Sequence, residues 1–230
     1  MNKISILNKM FFLNDKTPQE IRRNISEEFR SIKRTVLMEA SKPSEQNQKN
    51  RIMVTSVGKQ EGKSFFSYNL ARSISFEQDK QVLIVDCNVL SSSSKNDDNE
   101  LGLLDYLASD SLEVKDIINH TDYDRIKKIH IGRNNEFSNE LLSGKKMLEL
   151  MSEFNSRYSD RIVIFDAPHL LGVNEAITIS HNVDQILIVV EEGKTKVSDV
   201  TLIEKKLPKE IKSLFVLNKS LSSNFWETKH

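Results

Sequence analysis

Residues 51–70 read RIMVTSVGKQEGKSFFSYNL, and the fold turns on this stretch. Ile52, Met53 and Val54 form a short apolar run, which Thr55, Ser56, Val57 and Gly58 carry into a loop. Beyond Gly62, Lys63 and Ser64, the residues Phe66, Leu70 and Ile74 recur every four positions, the spacing of one helix face. Strand, glycine-containing loop, Gly-Lys-Ser, helix is the order that a phosphate-binding P-loop requires. The open N–H groups and the positive dipole end of such a helix favour an anion. Lys63 is placed to reach the terminal phosphates, and the Ser64 hydroxyl to hold Mg²⁺. Gly58, Lys59, Gln60, Glu61, Gly62, Lys63, Ser64 and Phe65 are therefore the candidate cofactor-binding loop. One position breaks the pattern G-x-x-x-x-G-K-[ST]: Val57 stands where glycine is usual. A bare Gly-Lys-Ser also occurs by chance in ordinary loops, so the rest of the chain has to decide the matter.

The chain has 230 residues, enough for one large α/β domain or one domain with an arm. Lysine plus arginine number 33 against 33 acidic residues, and this zero balance argues against a nucleic-acid binder. A hydrophobic content of 38% suits a soluble globular protein. The single cysteine, Cys87, allows no disulfide within the chain, which fits a reducing compartment. No apolar run approaches the ~18 residues of a membrane span. Residues 1–16 have no long apolar core and no small-residue cleavage site, and read as a frayed or partner-bound arm.

Residues 17–40 have the spacing of a helix, with Ile21, Ile25, Phe29, Ile32 and Val36 on one side. Residues 41–50, SKPSEQNQKN, look like a linker. Residues 1–50 thus read as a helical arm and linker, 51–218 as the domain that carries the P-loop motif and 219–230 as a tail. Within the domain, residues 82–86 (VLIVD) and 161–166 (RIVIFD) are apolar runs that close on a carboxylate. Such runs suit strands buried on both faces of a parallel sheet. Further strands are predicted at 126–131, 185–190 and 214–217. Helices are predicted at 101–108, 112–118, 139–158, around 177–179 and at 196–206, with a flexible loop at 90–100. The alternation predicts a mostly parallel sheet with helices on both faces.

In open α/β sheets the ligand lies at the carboxyl ends of the strands. The Gly62–Ser64 loop, Asp86 and Asp166 each follow an apolar strand, so all three can converge at that edge. Mg²⁺ needs oxygen ligands, and Ser64, Asp86 and Asp166 are the candidate set. Helix capping is the ordinary alternative for a single strand-end aspartate.

The residues resemble a family at this point: the bacterial tyrosine kinases of exopolysaccharide and capsule synthesis, and within it the exosortase-associated tyrosine autokinases. Its loop pattern T-S-x-x-P-G-E-G-K-[ST] is matched by Thr55, Ser56, Glu61, Gly62, Lys63 and Ser64. The D-x-D strand end is matched at Asp86, and R-I-V-I-F-D-x-P-P-L-L at residues 161–168, Leu170 and Leu171. ELLSGKKM at 140–147 is similar to the family's E-L-L-x-S-x-x-M. Asn218, in L-N-K, matches a place where such folds contact adenine, with a plain loop asparagine as the alternative. The resemblance implies a P-loop fold and ATP- and Mg²⁺-dependent autophosphorylation on tyrosine, with Lys63 and Asp86 as catalytic residues. It also implies a membrane-embedded co-polymerase that sets polysaccharide chain length, and hence a cytoplasmic chain held at the inner face of the membrane. Glu27, Arg30 and Lys33 match E-x-x-R-x-x-R, the motif of ring-like self-association, with lysine for the last arginine; a solvated charged face is the alternative.

Several positions depart from the family. Lys59 and Gln60 replace Pro-Gly, Asn88 replaces the second aspartate of D-x-D, and His169 replaces the second proline of D-x-P-P. Glycine at position 60 would take positive φ freely, so Gln60 bears on the shape of the cradle. Asparagine cannot act as a general base. The tail SLSSNFWETKH has no tyrosine, and the four tyrosines are Tyr68, Tyr106, Tyr123 and Tyr158. Two alternatives to an active kinase follow: a nucleotide-dependent scaffold for polysaccharide export, and a partitioning-type ATPase.

Overall fold

The computed structural model describes residues 6–11, 18–41, 49–89, 100–134, 136–157 and 161–220. The apolar runs become β2 (Arg51–Ser56), β3 (Gln81–Asp86), β5 (Ile126–Ile129), β6 (Arg161–Asp166), β7 (Gln185–Glu191) and β8 (Lys212–Ser220). With β1 (Ile6–Phe11) and β4 (Asn119–His120) they make one eight-stranded sheet in the order β1-β8-β7-β2-β6-β3-β5-β4. Every pairing is parallel except β4 with β5. Parallel neighbours have to be joined by crossovers, and these put helices over both faces.

Alternate side chains of each strand go to opposite faces, and each face has its own core. On one face Ile52, Val54, Ile164 and Leu187 meet α1 (Pro18–Ala40) and α2 (Lys63–Ser75) through Phe29, Ile32, Phe66 and Leu70. On the other, Met53, Phe165 and Ile188 meet α3 (Leu103–Ala108), α4 (Ser138–Ser143), α5 (Lys145–Arg157), α6 (Asn174–Ser180) and α7 (Val197–Glu204). The Arg51 guanidinium donates from Nε and Nη2 to the Asp184 carboxylate, at 3.2 and 2.9 Å, and the Arg51 N–H also donates to it at 2.9 Å. This fork fixes the start of β2 against the turn that enters β7.

Four elements differ from the sequence expectation. The expected arm at 1–16 supplies β1, which pairs with β8 and covers a row of N–H and C=O groups that would otherwise form a bare edge. The single helix expected at 139–158 is two helices. Gly144 takes an extended conformation (φ −78°, ψ 166°) between α4 and α5, and Tyr158 lies outside the described residues. Residues 112–118 reduce to a short 3₁₀ turn at Val114–Ile117. The two-residue β4 was too short to leave a pattern. The loop at 90–99 and the tail from 221 onward lie outside the described residues.

α1 is part of the core. Phe29, Ile32 and Val36 are fully buried, and the Phe29 and Phe66 rings stand 4.9 Å apart between centroids. Phe29→Ala should therefore cost about 3–5 kcal/mol in urea unfolding, the usual penalty for emptying a buried aromatic site. A loss below about 1 kcal/mol would mean that α1 is a detachable arm.

Candidate nucleotide site

Val57 explains itself in the structure. It is buried, its N–H points to the Val189 carbonyl at 3.4 Å, and its carbonyl accepts from the Leu171 N–H at 3.0 Å. The position extends the sheet and fills the core, so a glycine is not needed there. The turn begins after it. Gln60 takes φ 59° and Gly62 φ 97°, the left-handed region, where a non-glycine residue costs roughly 1–2 kcal/mol. A side chain at residue 62 would also run into the Asn218 amide, so glycine is required there twice over. From Lys63 the chain is helical for 13 residues, and Phe66 N–H closes the first turn on the Gly62 carbonyl at 3.0 Å.

The loop is held by groups that, apart from Asn218, the sequence did not single out. Lys194 Nζ donates to the Lys59 carbonyl at 2.7 Å, and Lys219 Nζ to the Gln60 carbonyl at 3.3 Å. Asn218 Nδ2 donates to the Glu61 carbonyl at 2.8 Å, while its Oδ1 accepts from the Lys219 N–H at 2.9 Å. Both polar ends of Asn218 are engaged beneath the loop. Glu61 is buried, and its carboxylate accepts from Gly58 N–H at 2.8 Å and from the Thr195 hydroxyl at 2.5 Å. Lys59 and Gln60 are exposed, Gly58, Gly62 and Lys63 half-buried, and Ser64 exposed. Phe65 turns its ring outward, edge-on to Phe29 with centroids 6.5 Å apart.

Asp86 and Asp166 end neighbouring strands and are direct partners in the β3–β6 register. β6 lies between β3 and β2, the strand that leads into the loop. Asp86 Oδ1 accepts from Asn88 N–H at 3.0 Å, and its other oxygen lies 4.0 Å from Lys128 Nζ. Asn88 is buried beside it. Asp166 is buried too, and its Oδ1 meets no hydrogen-bond donor among the described residues. Burial pushes the Asp166 carboxyl up to about 6, with the Asp86 charge adding to the rise; Lys63 and the hydroxyls of Ser64 and Ser67 oppose it. A buried carboxylate oxygen without a donor, next to a second carboxylate and a serine hydroxyl, is the donor set that a hard cation takes. Ser64, Asp86 and Asp166 thus fit Mg²⁺.

Beside the loop opens a cleft of about 400 Å³ lined by Lys59, Asn139, Leu142, Pro168, His169 and Glu175, among others. Its wall is pinned to the end of β2: Ala167 and Leu170 N–H donate to the Val54 and Ser56 carbonyls at 2.9 and 2.8 Å. The Thr55 hydroxyl donates to the Pro168 carbonyl at 2.5 Å. His169 is buried, and burial together with the Lys59 and Lys63 charges lowers its pKa, so the imidazole is neutral at physiological pH.

No family model matches the chain. It is similar to the tyrosine-protein kinase Etk of Escherichia coli (strain K12), 30% identical over 165 residues, which are 70% of this chain and 22% of Etk. The chain therefore spans about a fifth of that relative. The tyrosine-protein kinase YwqD of Bacillus subtilis (strain 168) is 29% identical over 174 residues, 74% of this chain and 70% of YwqD. The chain belongs with the bacterial tyrosine-protein kinases. Among solved structures, the kinase domain of Escherichia coli ETK superposes with a TM-score of 0.78 at 24% identity, covering 96% of this chain and 92% of that domain. The septum site-determining protein MinD of Pyrococcus horikoshii OT3, complexed with Mg-ADP, gives 0.56 at 22% identity over 74% of this chain and 70% of its own. These two likenesses establish a P-loop NTPase fold.

The raised Asp166 carboxyl has a consequence for stability. The folded chain binds this proton more tightly than the unfolded chain, whose value is near 3.8. Ionised Asp166 therefore costs stability above about pH 6, and the cost disappears below about pH 4. Asp166→Asn should stabilise the nucleotide-free protein at pH 8 by up to about 3 kcal/mol in urea unfolding, with the gain fading by pH 4. A gain independent of pH would show that the carboxyl is not strained by burial.

Proposed function

We propose that the chain is an ATP-dependent protein-tyrosine kinase of exopolysaccharide and capsule synthesis. The observation that supports this best is the pairing of Asp86 with Asp166 beside the loop, one of their oxygens buried without a donor. Mg²⁺ bound there would neutralise charge on the β- and γ-phosphates as the phosphoryl group moves. Lys63 meets the same charge from the helix start. The cleft beside Lys59 and His169 has room for an acceptor phenol; in this reading Asp86, which ends β3 outside the residues lining the cleft, takes its proton. Catalysis of this kind is mostly positioning and electrostatics, so a rigid loop matters more than a reactive side chain.

We also propose that the chain works with a membrane-embedded co-polymerase at the inner face of the membrane and self-associates through α1. Among the described residues, no helix is long and apolar enough to cross a membrane; in this reading the membrane-embedded partner supplies the attachment. Glu27 and Arg30 are exposed, as a contact motif requires, and Lys33 is paired with Glu77 at 2.5 Å.

A second reading, a nucleotide-dependent scaffold with little transfer activity, is favoured by Asn88. This buried amide stands where the resembled family has a second carboxylate. Purified protein incubated with Mg-ATP should acquire phosphotyrosine, seen by mass spectrometry, and Lys63→Met should abolish it while the variant stays folded. A positioned base is worth roughly 10²–10⁴ in rate, so Asn88→Asp should raise the transfer rate without much change in ATP affinity. Silence in both wild type and Asn88→Asp would leave the scaffold as the function. ATP hydrolysis with nucleotide-dependent dimerisation and no phosphotyrosine would point to the partitioning-type ATPase.

A further inference from the structure

The phosphate loop carries two left-handed residues, Gln60 and Gly62, and a buried acid, Glu61, between them. A carboxylate 2% exposed next to a site for polyphosphate is costly unless its oxygens are bound. Each oxygen has one partner: Oε2 accepts from the Gly58 N–H within the loop, and Oε1 from the Thr195 hydroxyl, 134 residues away in sequence. Thr195 follows β7 and is itself fixed. Its hydroxyl accepts from the Glu191 N–H at 2.9 Å, and its own N–H donates to the Glu191 carbonyl at 3.0 Å. Since a carboxylate only accepts and the Glu191 N–H only donates, the single hydroxyl proton of Thr195 is committed to Glu61. A continuous line of bonds therefore runs from the end of β7 through Thr195 and Glu61 to the first turn of the loop.

We propose that Thr195 is a positioning residue of the nucleotide site, its hydroxyl holding the Glu61 carboxylate under the loop so that the phosphate cradle is already shaped before nucleotide arrives. This rests on the nucleotide-binding reading above. Without that hydroxyl, the Glu61 carboxylate is held only by the Gly58 N–H. It is then free to leave Gly58, and the loop is tied to the ends of β7 and β8 only through its backbone carbonyls, by Lys194, Asn218 and Lys219. The cost of forming the cradle then falls on binding. The apolar cores on either face of the sheet do not involve Thr195, so the fold survives its replacement.

Isothermal titration with ADP and Mg²⁺ tests this in the full chain. Thr195→Val keeps the shape and removes the hydroxyl; it should weaken ADP about tenfold or more, the size of a lost hydrogen bond to a charged group, with the thermal midpoint within a few degrees of wild type. Thr195→Ser should restore the affinity. In a Glu61→Ala background the valine substitution should change affinity less than about twofold, because the group it held is gone. Unchanged ADP affinity in Thr195→Val, failure of serine to restore it, or a full tenfold loss in the Glu61→Ala background would each overturn the proposal. Wild type that binds no ADP would overturn the nucleotide reading and this inference together.

Discussion

The parallel alignment of β2, β6 and β3 is the constraint on which the rest depends. Because these three strands run side by side in one direction, the loop after β2 and the carboxylates ending β6 and β3 emerge at one edge. The alignment is held by burial on both faces. Ile52, Val54 and Ile164 pack under α1 and α2, while Met53 and Phe165 pack under the helices of the other layer. A slip of one residue in β6 would exchange these faces and turn Asp166 away from Asp86.

The loop itself departs from the glycine-rich form, and the structure offsets each departure locally. Val57 is a core residue just past the end of β2. Gln60 adopts the positive φ that glycine would take freely, and Lys219, itself at positive φ (55°), donates to its carbonyl. Lys219 and Lys194 are in turn paired with Glu191 at 2.9 and 3.4 Å, with Glu191 held ionised below its usual carboxylate range by these two lysines against the opposing effect of burial. Where the resembled loop pattern has Pro-Gly, this loop is held by side-chain bonds to the ends of β7 and β8.

What could be read from the sequence follows the same division. The strand–loop–helix order, the two strand-end aspartates and the parallel sheet were legible because each is written in contiguous residues. Val57 and Gln60 stood out as departures, but their accommodation was not legible. It lies in Thr195, Asn218 and Lys219, which are brought to the loop only by the sheet. Asn218 was noticed for a contact with adenine, whereas the structure engages its amide at the Glu61 carbonyl. β1 was missed because ILNKMF mixes polar and apolar residues without a clear alternation, and the break at Gly144 because apolar residues continue at helical spacing across it.

The central claim is that the loop, Asp86 and Asp166 form one magnesium–nucleotide site. ADP titrations with and without Mg²⁺, in wild type and in the paired variant Asp86→Asn/Asp166→Asn, measure it directly. The account predicts that Mg²⁺ tightens ADP binding to wild type by at least tenfold and leaves the variant's weaker, metal-independent binding unchanged. The same Mg²⁺ enhancement in both proteins would show that the two carboxylates belong to the sheet and not to the site.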